Sequence, residues 1–254
     1  MQFLTISPKR DMLSLVPGVF SPTDLYSLEV IMNRIYPLLA VTAVLALAAA
    51  AGAQWTEDFD SYSTGGIAGT GGWDGWEGDP AADAFVEDSI ANSTPNGLAI
   101  VSTSDIVHQF DEDQGSWIMT AWQYIPSGGS GSTYYILLNT YFPEGGSHDW
   151  SLDLKFNLAD NTIEVVEGSA VGVFTPDAWM EIKVEIDLDN NQQSIYYDGS
   201  LLETIAWQTT GVNEIAAIDL FGNGASTIFY DDLELAPGVS FDQTTWGSIK
   251  TTTF

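Results

Sequence analysis

Short β-type segments separated by turn residues fill the chain from residue 55 to residue 235. The segments are rich in Ile, Val, Tyr, Phe, Trp and Thr, and Gly, Asp, Asn, Ser and Pro lie between them. No segment combines helical apolar spacing with capping residues. Strands are predicted near 55–60, 84–87, 97–102, 105–110, 116–125, 133–141, 150–157, 161–167, 179–188, 193–198, 201–207, 214–221 and 226–235. So many short strands at this spacing indicate a sandwich or a barrel.

Alternation within the strands favours the sandwich. In segment 179–188, Ile182, Val184, Ile186 and Leu188 alternate with charged residues. Successive side chains of a strand point to opposite faces, so such a strand buries one face and shows the other to solvent. Several strands share this pattern, which predicts an all-β fold of two antiparallel sheets packed as a jelly-roll sandwich.

An apolar, Ala-rich stretch precedes the strands. It follows Arg34 and ends in small residues at Ala53, the order of a positive, an apolar and a cleavage region in a signal peptide. We therefore expect a signal peptide at 32–53 and a secreted or cell-surface product. A membrane anchor is the alternative, since the apolar run is about the minimum length for a span, but no basic cluster follows it.

The remaining boundaries follow from this segment. Residues 1–31 are interpreted as an over-called start or an extension, and residues 54–237 as the sandwich domain. Beyond Pro237 the pattern gives way to a polar tail, 238–254, interpreted as a docking or sorting segment or as a disordered terminus. No membrane span is expected after residue 53.

Charge and cysteine content exclude several classes of function. The formal net charge is −29, and the basic residues after Gln54 are Lys155, Lys183 and Lys250. Such a chain repels phosphate backbones, so nucleic acid is not an expected partner, and it favours cations such as calcium. Cysteine is absent, which excludes disulfides, thiolate metal sites and cysteine nucleophiles.

Four pieces of sequence resemble the concanavalin A-like lectin/glucanase superfamily, and specifically its laminin-G-like bacterial exported domains. The pieces are 57–62 with 73–76, 117–126 with 134–139, 179–187 with 195–199, and 229–235. The resemblance implies a jelly roll that binds sugars or mediates adhesion and in some members hydrolyses glycans. A fold of this kind hosts many functions, so the site decides.

Alternating carboxylates supply the enzymatic hypothesis. Glu185, Asp187 and Asp189 would share one face of a strand and resemble the E-x-D-x-E pattern of β-glucanases. Retaining hydrolysis needs two carboxyl groups about 5 Å apart. Asp189 is shorter than Glu and stands in turn-like sequence, which favours a solvated strand face.

A structural calcium ion is the cofactor hypothesis. The resemblance implies that the first and last strands lie close together, and calcium binds several carboxylate and carbonyl oxygens. The candidate ligands are Glu57, Asp58, Asp60, Asp231 and Asp232. Neighbouring acids on a strand point to opposite faces, so Asp231 and Asp232 need a bulge to act together.

Sugar binding needs an exposed aromatic plane and planar polar side chains. The candidates are Trp73, Trp76, Trp122, Tyr124, Asp153, Lys155, Asn157, Asp219, Phe221 and Asn223. Trp73 and Trp76 flank a loop and would form a rim. Core or cross-strand packing is the alternative for each aromatic residue.

The sequence therefore favours a non-catalytic exported domain that binds a glycan outside the cell. A β-glucanase-type hydrolase using Glu185 and Asp189 is one alternative. An adhesive surface protein that binds another protein, with the tail as its attachment, is the other.

Overall fold

The computed structural model describes residues 55–238. The predicted signal peptide at 32–53, the segment 1–31 and all of the predicted tail except Gly238 lie outside these residues. Sixteen strands form two antiparallel sheets. They are β1 Trp55–Glu57, β2 Gly65–Gly66, β3 Trp73–Gly75, β4 Phe85–Glu87, β5 Gly97–Ile100, β6 Asp105–Glu112, β7 Ser116–Tyr124, β8 Ser132–Thr140, β9 Asp149–Asn157, β10 Thr162–Val165, β11 Val171–Val173, β12 Trp179–Asp187, β13 Gln192–Tyr197, β14 Ser200–Ile205, β15 Ile215–Phe221 and β16 Ile228–Pro237.

The strands divide into a nine-stranded and a seven-stranded sheet. The nine-stranded sheet runs β14-β13-β12-β7-β16-β5-β4-β2, and β1 pairs with β16 beside β5. The seven-stranded sheet runs β11-β10-β9-β8-β15-β6-β3. The predicted two-sheet antiparallel sandwich is thus confirmed. Within the described part of the chain, no helix has the length and apolar character needed to cross a membrane.

Each of the thirteen predicted strands has a counterpart in the structure, and three short strands were missed. These are β2, β3 and β11, each of two or three residues. Alternation cannot be recognised over so few residues, and all three contain glycine, which weakens a strand pattern.

The main core lies between the sheets. Trp207, Tyr135, Tyr230 and Phe156 are among its largest fully buried side chains. Gln123 is buried with them, and its amide is hydrogen bonded to the hydroxyl groups of Tyr230 and Tyr197 at 2.7 and 3.2 Å. Buried polar groups are tolerated when they are satisfied in this way.

A second apolar cluster covers the outer face of the seven-stranded sheet. Its buried members are Val107, Ile136, Leu138, Tyr141, Ala216 and Ala217, and Trp76, Tyr134 and Phe221 pack against them. The outer face of a sandwich is normally polar. This face therefore carries a covering layer, and the layer positions the site described next.

Candidate functional site

A cleft of about 360 Å³ opens on the outer face of the seven-stranded sheet. Its lining residues come from four neighbouring strands, from the turn after β3 and from the segment after β15. They are Trp76, Asp105, Tyr134, Ile136, Trp150, Asp153, Asp219, Phe221 and Asn223. The residues between them along each strand, such as Leu154 and Leu220, belong to the main core. Strand alternation thus points most of the lining side chains away from the core, and a register shift between β8 and β9 accompanies the outward position of Trp150.

Strand register fixes the floor of the cleft. Asp219 of β15 lies opposite Ile136 of β8, which in turn lies opposite Asp153 of β9. Two strand spacings separate the two aspartates, so their Cα atoms are about 9–10 Å apart. In the next row, Phe221 lies between Tyr134 and Asp105. The floor therefore alternates carboxyl groups with apolar side chains.

Aromatic rings border the floor on two sides. The rings of Trp76 and Trp150 stack with 6.3 Å between their centroids and 17° between their planes. Tyr134 and Phe221 stack at 5.8 Å and 21°. Trp150 is 44% exposed, so part of its ring is available to a ligand.

Ring contacts with Tyr141 and His148 hold Trp76 in place. The rings of Tyr141 and His148 lie 5.1 and 4.6 Å from it. The backbone N–H of Glu77 donates to the Tyr141 hydroxyl at 3.0 Å, and the Glu77 carboxylate lies 2.9 Å from His148 Nε2. These contacts tie the turn after β3 to the segment between β8 and β9.

Asp105 and Asp219 are neighbouring carboxyl groups, and each affects the pKa of the other. Asp219 is 2% exposed, and this burial, together with the charge of Asp105, raises its pKa well above the ordinary value. Burial raises the pKa of Asp105 to about 6, while its hydrogen bond with Asp219 acts in the opposite direction. Burial and the neighbouring carboxyl group therefore favour the protonated form of Asp219, because two ionised carboxylates are costly in a dry site.

Asp153 stands on the opposite side of the floor. Burial, and then the charge of Glu167, raises its pKa to about 7. Its own backbone N–H donates to Glu167 Oε2 at 2.7 Å. The cleft thus holds three carboxyl groups whose environments oppose ionisation, which is a common property of functional sites.

Each of these three carboxyl groups has an unpartnered buried oxygen. Oδ1 of Asp105, Asp153 and Asp219 accepts no hydrogen bond from any residue that the structure describes. A buried acceptor without a donor costs about 1–3 kcal/mol. The cleft is therefore chemically suited to a ligand that brings hydrogen-bond donors.

Five of the ten predicted sugar-binding residues meet in this cleft. They are Trp76, Asp153, Asp219, Phe221 and Asn223. Lys155 and Asn157 lie farther along β9 and are bound locally, Lys155 to Glu164 at 3.0 Å and Asn157 to Asp160 at 3.0 Å.

The other three predicted sugar-binding residues lie elsewhere. Trp73 is only 1% exposed and its Nε1 donates to Glu57 Oε2 at 3.2 Å, so its ring lies in the core and not at a rim. Trp122 and Tyr124 lie on β7 in the nine-stranded sheet, and Tyr124 packs against Trp179 at 5.6 Å.

Sequence reasoning missed Asp105, Tyr134, Ile136 and Trp150. All four lie in strands that were predicted, and Trp150 opens the alternating segment of β9. What was lacking was the pairing of β6, β15, β8 and β9, which brings residues from distant segments into adjacent rows.

Of the alternative catalytic carboxylates, Glu185 and Asp187 lie on β12 of the nine-stranded sheet and Asp189 lies in the turn after it, and each is bound locally. Glu185 accepts from Lys183 Nζ at 2.8 Å and from the Tyr196 hydroxyl at 3.1 Å. Asp187 accepts from the backbone and side chain of Asn190, and Asp189 accepts from the Gly115 N–H. Hydrolysis at these residues stays a prediction.

The predicted calcium ligands lie near paired strands, since β1 pairs with β16. A register shift between Asp231 and Glu234, with a φ of 46° at Asp232, supplies the bulge that two adjacent acids require. Both carboxylates already accept hydrogen bonds from Asn92 and Ser93.

The three acids near β1 also have local partners. Glu57 accepts from Phe59 and Tyr62, Asp58 from Asp60, and Asp60 from Asn96. Among residues 55–238, no group of three or more His, Cys, Asp or Glu side chains is arranged to hold a metal. Calcium stays a prediction, which a chelator would test by lowering the melting temperature (Tm).

No protein-family model matches this sequence, and no curated protein matches it. Solved structures match the fold. An endo-β-1,4-glucuronan lyase from the fungus Trichoderma reesei is 12% identical with a TM-score of 0.52, covering 74% of this chain and 96% of that one. A sialidase is 11% identical with a TM-score of 0.53, covering 74% of this chain and 19% of that one.

These similarities establish the class of fold, a β-sandwich related to the concanavalin-like jelly roll. The narrower likeness to laminin-G-like domains stays a prediction. At these identities the chemistry of the site must be argued from the residues of the chain itself.

Proposed function

We propose that the chain is an exported carbohydrate-binding domain and that the cleft on the seven-stranded sheet holds the sugar. The observation that carries the proposal is the stacked pair Trp76 and Trp150 beside a floor with three unpartnered carboxyl oxygens. Flat aromatic surfaces suit the apolar faces of sugar rings, and carboxyl oxygens suit their hydroxyl groups. Sugar sites combine an apolar wall with a few polar groups in this way.

The size of the cleft, the fold and the signal-peptide pattern support the proposal. A volume near 360 Å³ lies in the range of small-molecule sites, about 300–1,000 Å³. The fold is shared with a lyase acting on glucuronan, a carbohydrate. Export is supported by the signal-peptide pattern at 32–53, which would place the domain outside the cell.

Affinity electrophoresis tests the proposal. The protein is run in gels that contain different soluble polysaccharides, with and without calcium. Retardation in at least one gel, lost on Trp150→Ala, is the expected result. Migration that no polysaccharide changes would move the protein-binding alternative to first place, and deletion of 238–254 would then test whether the tail attaches the protein to cells.

A further inference from the structure

The carboxyl groups of the cleft have more hydrogen-bond acceptors than the described residues have donors for them. Asp105, Asp153 and Asp219 line the cleft, each has a buried oxygen without a hydrogen-bond partner among the described residues, and Asp219 is 2% exposed. Native structures pair more than nine-tenths of buried polar groups, so a cluster of three such oxygens indicates a donor-rich ligand.

No cationic side chain of residues 55–238 lines the cleft. The lysines of this range are Lys155 and Lys183, and arginine does not occur in it. Lys155 is bound to Glu164 at 3.0 Å, and Lys183 is bound to Glu185 at 2.8 Å on the other sheet. Any positive charge at the aspartates must therefore come from outside this part of the chain.

A metal ion fits these aspartates poorly. Calcium needs its oxygens within about 2.3–2.6 Å of one point. Asp153 and Asp219 stand two strand spacings apart in one row, so their side chains start about 9–10 Å from each other. This separation instead suits two polar groups on a single extended ligand.

A primary ammonium group supplies both hydrogen-bond donors and a positive charge. It carries three N–H donors and no acceptor, so it satisfies carboxyl oxygens without needing a donor in return. The faces of Trp76 and Trp150 border the same cleft and attract cations through their π systems. The net charge of −29 raises the local concentration of any cationic ligand.

We infer that the cleft selects glycans bearing primary ammonium groups, with Asp153 and the Asp105–Asp219 pair as the acceptors and the two tryptophans as the stacking surface. This inference rests on the proposed carbohydrate-binding function and adds the chemical class of the ligand. A neutral glycan would fill the same cleft but would not offset the cost that burial imposes on ionised carboxylates.

Calorimetric titration with three matched oligosaccharides tests the inference. The probes are a β-1,4-linked glucosamine tetramer, its fully N-acetylated counterpart and the glucose tetramer, at neutral pH and physiological salt. The glucosamine tetramer is expected to bind about tenfold or more tightly than either neutral probe, the effect of one charge-assisted hydrogen bond. Equal or tighter binding of a neutral tetramer would overturn the inference while leaving the carbohydrate function in place.

Two variants separate a built site from general attraction to an acidic protein. Asp153→Asn removes one carboxyl group from the cleft, and Glu181→Gln removes one carboxyl group from β12 of the other sheet. The inference requires that Asp153→Asn abolish the preference for the glucosamine tetramer and that Glu181→Gln preserve it. Equal losses in the two variants, or no binding of the glucosamine tetramer to the parent protein, would overturn it.

Discussion

The outer faces of the two sheets carry polar residues in the same alternating pattern, yet they differ in structure. On the nine-stranded sheet, Lys183, Glu185 and Tyr196 form a partly exposed network in which each charged group has a partner. On the seven-stranded sheet, Asp153 and Asp219 lie in a cleft with unpartnered oxygens. The same alternation thus produces a paired surface in one place and a site in the other.

The difference arises from what covers each face. Trp76 follows β3, Tyr141 follows β8, and both pack on the apolar cluster of the seven-stranded sheet. The hydrogen bond from Glu77 to the Tyr141 hydroxyl joins these two segments. A polar face becomes a binding site when such segments remove it from water, because desolvation raises the carboxyl pKa values and strengthens interactions with a ligand.

The largest effect expected from this comparison is on glycan binding. Trp150→Ala should weaken binding about thirtyfold, since truncating a tryptophan that stacks on a ligand costs about 2 kcal/mol. Trp122→Ala, on the nine-stranded sheet, should leave affinity within about twofold, the scatter expected of a residue outside the contact. Calorimetric titration with the polysaccharide that retards the protein measures both.

Stability controls accompany these two variants. Trp150 is 44% exposed, so its loss should change the Tm little. If Trp122→Ala weakens binding and Trp150→Ala does not, the functional face is the nine-stranded one and the comparison is reversed.

A smaller effect is expected on the pH dependence of stability. The pKa of Asp153 is raised to about 7 by burial and by Glu167, so the folded protein holds this proton more tightly than the unfolded chain. The contribution is fully present below about pH 4, near the unfolded pKa. It is lost as the pH rises to about 7. Asp153→Asn should match the parent Tm at pH 4 and exceed it by about 2–4 °C at pH 8, the effect of about 1 kcal/mol in a domain of this size.

Charged neighbours also affect the pKa of Asp153 and therefore the result of this test. Lys155 lowers its pKa, while Glu164 and Glu167 raise it. Thermal melts of Asp153→Asn and Glu181→Gln from pH 4 to pH 8 compare the two faces directly. A Tm difference for Asp153→Asn that does not grow with pH would contradict the burial of its charge.

The sequence predicts the local properties of each strand, but it does not predict which strands pair to build the cleft. Alternation over nine residues in β12 predicts a strand and its buried face, because both are local properties. Asp105 was not predicted as a site residue, because its proximity to Asp219 depends on the pairing of β6 with β15, more than a hundred residues apart in sequence. Trp73 and Trp76 were both predicted to bind sugar, but of the two only Trp76 lies in the cleft, and this difference also depends on tertiary structure. Both flank a glycine-rich turn, but β3 carries Trp73 into the core and leaves Trp76 over the outer face.

The smallest effect is expected at Glu185, the residue of the hydrolase alternative. Glu185→Gln loses the ion pair with Lys183 but keeps an oxygen that can accept from Tyr196. An exposed pair contributes about 0–1 kcal/mol, so the free energy of unfolding in urea should fall by no more than that, and less at high salt. Glycan retardation should be unchanged. If the parent protein releases reducing ends from a β-glucan and Glu185→Gln abolishes that release, catalysis lies on the nine-stranded sheet, and Glu185 is a reactive group held by Lys183 and Tyr196.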